Sequence, residues 1–244
     1  MKLLLTMRTA NRYPKENYLF QTIESLRRQG VAGSDIHVFP TDPDVRWLEH
    51  RIPYQAMTVH APTERRRANA NGLAPIALLD TMPADWIILS EDDLQWCADP
   101  LGSMARWLEV HARPDVLVYR FFAFDALTRA SRYAAEAPLR EMRGSQAVAL
   151  RTADARRFAK WAREHPLTWR PKGAPFQDRP HDGFDKLIGY WALAERPDVT
   201  TGLVSRPFFV KHIGVQSSLH GHGRRMDQHF IGADRAYQSE AVWP

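Results

Sequence analysis

Three consecutive carboxylates, Glu91-Asp92-Asp93, follow an unbroken apolar run, Trp86-Ile87-Ile88-Leu89, with only Ser90 between. Neighbouring like charges repel and lose hydration when partly enclosed, and a divalent cation relieves both costs. Mg2+ or Mn2+ held this way keeps coordination positions for substrate phosphates. A solvated loop, or carboxylates that cap the next helix, is the competing account of the same triplet. A second acidic group, His181-Asp182-Gly183-Phe184-Asp185, opens a stretch of helical periodicity. Asp182 then sits where helix N–H groups hold a carboxylate ionised, or simply caps that helix, and Asp185 falls further into it. Arg65, Arg66 and Arg67, with Asn69 and Asn71, precede the acidic strand. Arginine forks suit diphosphate oxygens, and a solvated helix face is the alternative.

The elements that must position these groups follow from hydrophobic period and turn residues. Lys2 to Thr6 is a short strand, and Asn17 to Gly30 a helix with Tyr18, Leu19, Ile23 and Leu26 on one face. Ile36 to Phe39 is a second strand, closed by Pro40, Asp42 and Pro43. Thr63 to Leu79 has helical character interrupted by Gly72 and Pro75. The run at 86–89 predicts a strand buried on both faces. Leu101 to His111 predicts a helix, Val116 to Phe124 and Ala147 to Leu150 strands, and Thr152 to Glu164 a helix with Thr152 as its N-cap. Pro166 to Pro180 holds four prolines and predicts a loop able to lie over a site. Asp182 to Ala194 is helical with Phe184, Leu187, Ile188 and Trp191 on its apolar face, and the chain beyond Phe208 ends in a polar tail. Alternating strands and helices predict an α/β fold, a mostly parallel central sheet flanked by helices. Ligands in such sheets lie outside the carboxyl ends of the strands, where the acidic triplet falls.

The chain has 244 residues, 44% of them hydrophobic and 25% charged, which excludes a disordered or collagen-like chain and suits a single domain with a substantial core. One cysteine, Cys97, cannot form an intramolecular disulfide, and the first residues lack the apolar region of a signal peptide. No stretch approaches the roughly 20 apolar residues of a membrane span, so the expectation is a cytoplasmic protein without one. The net charge of +5 favours anionic partners without choosing among them.

The layout resembles the GT-A type glycosyltransferases, family 2-like members among them, through three stretches. The first, Thr6 to Arg12 before Asn17-Tyr18-Leu19 and Thr22-Ile23-Glu24-Ser25-Leu26, is similar to their nucleotide-binding start. The second is the Glu-Asp-Asp motif at 91–93. The third, Lys211-His212-Ile213-Gly214-Val215-Gln216-Ser217-Ser218-Leu219, is similar to a segment of the N-acetylglucosaminyltransferase IV family. The resemblance implies a single domain over 1–244, with a nucleotide-sugar-binding half over 1–100, an acceptor-binding and catalytic half over 101–220, and a tail over 221–244. It also implies transfer of a sugar from a nucleotide sugar, UDP-linked by the same resemblance, to an acceptor hydroxyl with inversion. The metal, Mn2+ or Mg2+, would be held by Asp93, Glu91 and His212, although Glu91 stands where a simple Asp-x-Asp motif has its first aspartate. Asp92 would lie nearer the ribose, and Arg8, Thr9, Arg12, Arg65, Asn69, Gly144 and Ser145 would complete the nucleotide-sugar site. The base that deprotonates the acceptor would be Asp182, with Asp185 second. Trp169 is the acceptor-side aromatic and Trp191 a core residue.

Two other readings compete. Strand-end carboxylates also serve metal-dependent phosphoryl or nucleotidyl transfer, which would call for a second carboxylate pair. A nucleic-acid-binding module fits the basic pI, but its aromatics and basic residues interleave in no recognisable motif. The acceptor is unassigned, with a glycan and hydroxymethylated DNA as candidates.

Overall fold

The computed structural model describes residues 1–11, 18–49, 57–123, 127–140, 142, 144–165, 183–213 and 230–238. Strands β1 (Leu3–Thr9), β2 (Ile36–Pro40), β3 (Thr58–Val59) and β4 (Trp86–Glu91) lie side by side in the order β3-β2-β1-β4, all parallel. A short strand β5 (Leu94–Trp96) leaves the sheet directly after the acidic triplet. The sheet continues from β4 through β8 (Ala147–Arg151), β6 (Tyr119–Arg120), β9 (Thr201–Ser205) and β7 (Ala134–Pro138). Strand β8 is antiparallel to both neighbours, β6 and β9 are parallel, and β7 is antiparallel to β9. The expected α/β class therefore holds, with six of the eight strands running one way.

Side chains alternate across the sheet and build two apolar layers. Leu5, Met7, Trp86 and Ile88 join Leu19, Ile23 and Leu26 of helix α1 (Leu19–Arg28), and Met104, Trp107 and Leu108 of helix α4 (Pro100–His111). Leu4, Ile87 and Leu89 face the other layer, with Phe158 and Ala162 of helix α5 (Thr152–Glu164), and Phe184, Leu187 and Trp191 of helix α6 (Phe184–Glu195). The apolar run at 86–89 is thus buried on both faces as its sequence requires, and Trp191 is a core residue.

Several elements depart from the sequence expectations for identifiable reasons. The helix expected over 63–79 is a six-residue helix α3 (Ala68–Leu73) followed by a 3-10 helix, Ala74–Asp80. Pro75 at the junction lacks the N–H that a continuing α-helix needs. Gly72 closes against Phe184 so tightly that a Cβ would lie 2.4 Å from the ring. Thr152 is not an N-cap: Arg151 holds that position, and the Thr152 hydroxyl donates to the Ala84 carbonyl at 2.5 Å. The strand expected over 116–124 pairs only at Tyr119 and Arg120, although 116–123 is buried throughout. Strand β10 (Val210–His212) pairs with β5. The stretch expected to be a tail is tied down over 230–238, where fully buried Tyr237 donates its N–H to the Ser103 hydroxyl and accepts from Arg106 at its carbonyl. A short helix α2 (Arg46–Glu49) follows β2. Among the described residues, no helix is long and apolar enough to cross a membrane.

Candidate active site

The acidic triplet ends β4 at the carboxyl edge of the parallel strands, and its three side chains part company. Asp92 and Asp93 are buried, 2% and 4% exposed. The Thr9 hydroxyl, at the end of β1, donates to Asp92 Oδ2 at 2.5 Å. Thr22 of α1 bridges the turn from below, its hydroxyl donating to the Asp92 carbonyl at 2.8 Å while accepting from the Leu94 N–H at 2.9 Å. The Thr9 hydroxyl bond gives the buried Asp92 carboxyl a polar partner and offsets part of its burial cost, while Thr22 fixes the backbone of the turn.

Asp93 meets His212, from far along the chain, at 3.1 Å between Oδ2 and Nε2. The antiparallel pair β5–β10 brings them together, with Lys211 opposite Gln95, His212 opposite Leu94, and Ile213 N–H donating to the Asp93 carbonyl at 2.9 Å. Both side chains are largely buried, 5% exposed for Asp93 and 13% for His212. An oxygen and an imidazole nitrogen 3.1 Å apart are spaced like adjacent donors around a cation with bonds of about 2.1 Å. A carboxylate with a neutral imidazole suits Mn2+. The donor set fits a divalent cation that takes its remaining ligands from substrate and water. Among the described residues, no group of three His, Cys, Asp or Glu side chains gathers to hold a metal ion.

Glu91 turns elsewhere. Arg8 lies opposite it across the β1–β4 ladder and approaches Glu91 Oε1 at 2.5 Å. The Ser145 hydroxyl donates to the same oxygen at 2.9 Å, and Gln146 Nε2 donates to Oε2 at 3.2 Å. Burial pushes the Glu91 carboxyl up, opposed by Arg8 and Ser145 and reinforced by the charges of Asp93 and Asp185. Arg8 also contacts Ser145 and lies 4.5 Å over the Phe184 ring. Gly144 adopts φ +83°, a conformation that glycine reaches without a Cβ penalty, and its N–H donates to Asp185 Oδ2 at 2.6 Å. Asp185 thus stands in the first turn of α6 and holds the 144–146 turn.

Arg65 lies at the open rim, its side chain 81% exposed and 3.1 Å from Asp42. With Asn11, Asp42, Asp44, Arg46 and Trp47 it lines a cleft of about 670 Å³ beside the ends of β1 and β2. Asn69 is half-buried on α3. Of the sequence candidates, Arg8, Thr9, Asp92, Asp93, Glu91, Gly144, Ser145, Asp185 and His212 converge on one region, with Arg65 at its margin. Arg12, Asp182 and Trp169 lie outside the described residues. The sequence reading missed the site places of Asp42 and Trp47. The Asp-Pro-Asp at 42–44 was visible as the close of a strand, and its place at a carboxyl end was the available signal.

The candidate site thus lies at the carboxyl edge of the parallel strands of a mixed α/β sheet, with two buried acids at the end of β4. No family model matches the chain, and no curated protein matches it. Among solved structures it is similar to S. aureus TarS, at 16% identity and TM-score 0.47, over 84% of this chain and 35% of that one. It is similar to the mannosyltransferase PcManGT of Pyrobaculum calidifontis, in complex with GDP-Man and Mn2+, at 16% identity and TM-score 0.38 over 62% and 44%. It is also similar to CMP:2-keto-3-deoxy-manno-octonic acid synthetase complexed with CTP, at 12% identity and TM-score 0.46 over 85% and 92%. The chain spans about a third of TarS and under half of the mannosyltransferase.

Proposed function

We propose that this chain is a metal-dependent glycosyltransferase that moves a sugar from a nucleotide sugar, UDP-linked in our reading, to an acceptor hydroxyl. The observation that carries the reading is the buried Asp92–Asp93 turn at the carboxyl end of β4, with His212 delivered to Asp93. Asp93 and His212 would hold Mn2+ or Mg2+, which supplies charge stabilisation for a departing diphosphate. Asp92, held by the Thr9 hydroxyl, would accept from a ribose hydroxyl. The cleft lined by Asn11, Asp42, Trp47 and Arg65 offers an aromatic face, a carboxylate acceptor and a cation to a nucleoside. One oxygen of Asp185 is committed to the Gly144 N–H, which favours Asp182 as the base for the acceptor hydroxyl, in a transfer that inverts the anomeric centre in our reading. A glycan or hydroxymethylated DNA is the acceptor class we propose.

A thermal-shift screen against UDP-, GDP-, CDP- and dTDP-sugars, with and without Mn2+, tests the donor class, because a ligand of the native state raises Tm. A Mn2+-dependent shift confined to one nucleotide and lost in Asp93→Asn is the expected result. No shift with any sugar nucleotide overturns the proposal, and a shift with free CTP alone transfers the site to nucleotidyl transfer.

A further inference from the structure

The consecutive acids of the triplet divide by partner. Asp93 faces His212, while both oxygens of Glu91 already accept hydrogen bonds, Oε1 from Arg8 and Ser145, and Oε2 from Gln146. The Glu91 N–H also donates to the Gln146 carbonyl at 3.1 Å, so backbone and side chain grip the same turn. Ser145 and Gln146 are 2% and 6% exposed, and the Arg8 side chain 13%. Turning Glu91 toward a cation at Asp93 would strip Arg8 of its carboxylate within this enclosure and leave Gln146 Nε2 without its acceptor. The Phe184 ring is fixed between Arg8, 4.5 Å away, and Gly72, where no side chain would fit. Asp185, the next residue, fastens the same turn at Gly144.

From this we infer that Glu91 is not a metal ligand but a positioning residue: paired with Arg8, it fixes the Gly144–Gln146 turn and the start of α6 beside the Asp93–His212 pair. The inference rests on the glycosyltransferase reading for what the turn meets, the donor sugar, and it assigns the triplet's labour as one anchor and two ligand-facing acids. Replacing the carboxylate by an amide weakens the grip on Arg8 without touching Asp93. The turn then samples orientations that misplace the reacting groups, an effect that falls on kcat more than on donor KM.

The experiment is Mn2+ binding followed by electron paramagnetic resonance, alone and with UDP, for the wild-type chain, Glu91→Gln and Asp93→Asn, joined to turnover of the donor found in the thermal-shift screen. The expected result is Mn2+ affinity within about threefold of wild type for Glu91→Gln, and a loss of at least about tenfold for Asp93→Asn. Glu91→Gln should lower kcat by about tenfold or more with donor KM within about threefold, and Arg8→Gln/Glu91→Gln should be no worse than the poorer single variant because the pair acts as a unit. Equal loss of Mn2+ in Glu91→Gln and Asp93→Asn overturns this inference alone. An unchanged kcat in Glu91→Gln also overturns it. A wild-type chain that binds no Mn2+ with or without UDP overturns the proposed function instead.

Discussion

Strands β1 and β4 run in register from Leu3 against Trp86 to Arg8 against Glu91, whereas β6 pairs with β8 and β9 through Tyr119 and Arg120 only. In the first half, the ladder carries the site: neighbouring strands end together, and short side chains such as Thr6, Thr9 and Ser90 cross-link them. Around β6, in the second half, bulky side chains take over from this short ladder. Trp107 meets Tyr119, Phe121 and Phe209 edge-on at 6.4, 5.8 and 6.5 Å, and Phe209 packs on Tyr237. The Arg151 guanidinium stacks 5.0 Å from Trp86 and bonds the Val116 and Arg113 carbonyls at 2.8 and 2.6 Å. A long ladder fixes an edge to fractions of an ångström through repeated bonds. A short one must borrow rigidity from packing.

The sharpest test of that contrast is Trp107→Ala. Trp107 is fully buried and its indole N–H donates to the Tyr133 carbonyl at 2.9 Å, so truncation should cost about 3–5 kcal/mol in urea unfolding. A loss below about 1 kcal/mol would mean that the second half does not depend on this cluster. Thr9→Val probes the other half: it removes the hydroxyl that meets Asp92 while keeping the shape. The expected cost is about 1–3 kcal/mol, with nucleotide binding weakened alongside, and a neutral result in both would break the link between ladder and site.

The smallest expected effect lies at the β2–β3 edge, where His37 Nδ1 and His60 Nε2 are 3.1 Å apart and His60 stacks on Phe39 at 4.6 Å. Burial lowers both imidazole pKa values, and His37 further lowers that of His60, while Asp35 partly opposes the shift at His37. The unfolded chain therefore takes up protons first as pH falls below about 6.5, and stability falls with it until the folded pair titrates. His60→Gln should flatten the fall in urea midpoint between about pH 7.5 and 5.5, by at most about 1.4 kcal/mol per pH unit for each proton. An unchanged slope would show that the pair is not the source.

Local pattern made the first half legible. The apolar run 86–89, the helix face at Leu19, Ile23 and Leu26, and the acids after β4 are contiguous signals whose period and polarity suffice. In the second half the strand expected at Ala147–Leu150 is β8, whereas β7 and β9 carry no such signal. Strand β7 is Ala-Ala-Glu-Ala-Pro, poor in strand formers, and exists because β9 offers it an antiparallel edge. The triplet shows the same division at the scale of side chains. Its residue types were compatible with a cation, but the partners that separate Glu91 from Asp93 come from distant parts of the chain.

By itself the sequence determined the α/β class, the burial of β4, the acidic turn at a strand end, and the pool of side chains from which a site could be drawn. Those properties depend on hydrophobic period and on charges adjacent in the chain. Only the tertiary structure decided that His212 meets Asp93, that Arg8 and Gln146 claim Glu91, and that Tyr237 closes against α4. Each of these pairs residues far apart in sequence, brought together by the register of β1 on β4, of β10 on β5, and by the packing of the aromatic cluster, which are set by burial of the whole core rather than by any local preference.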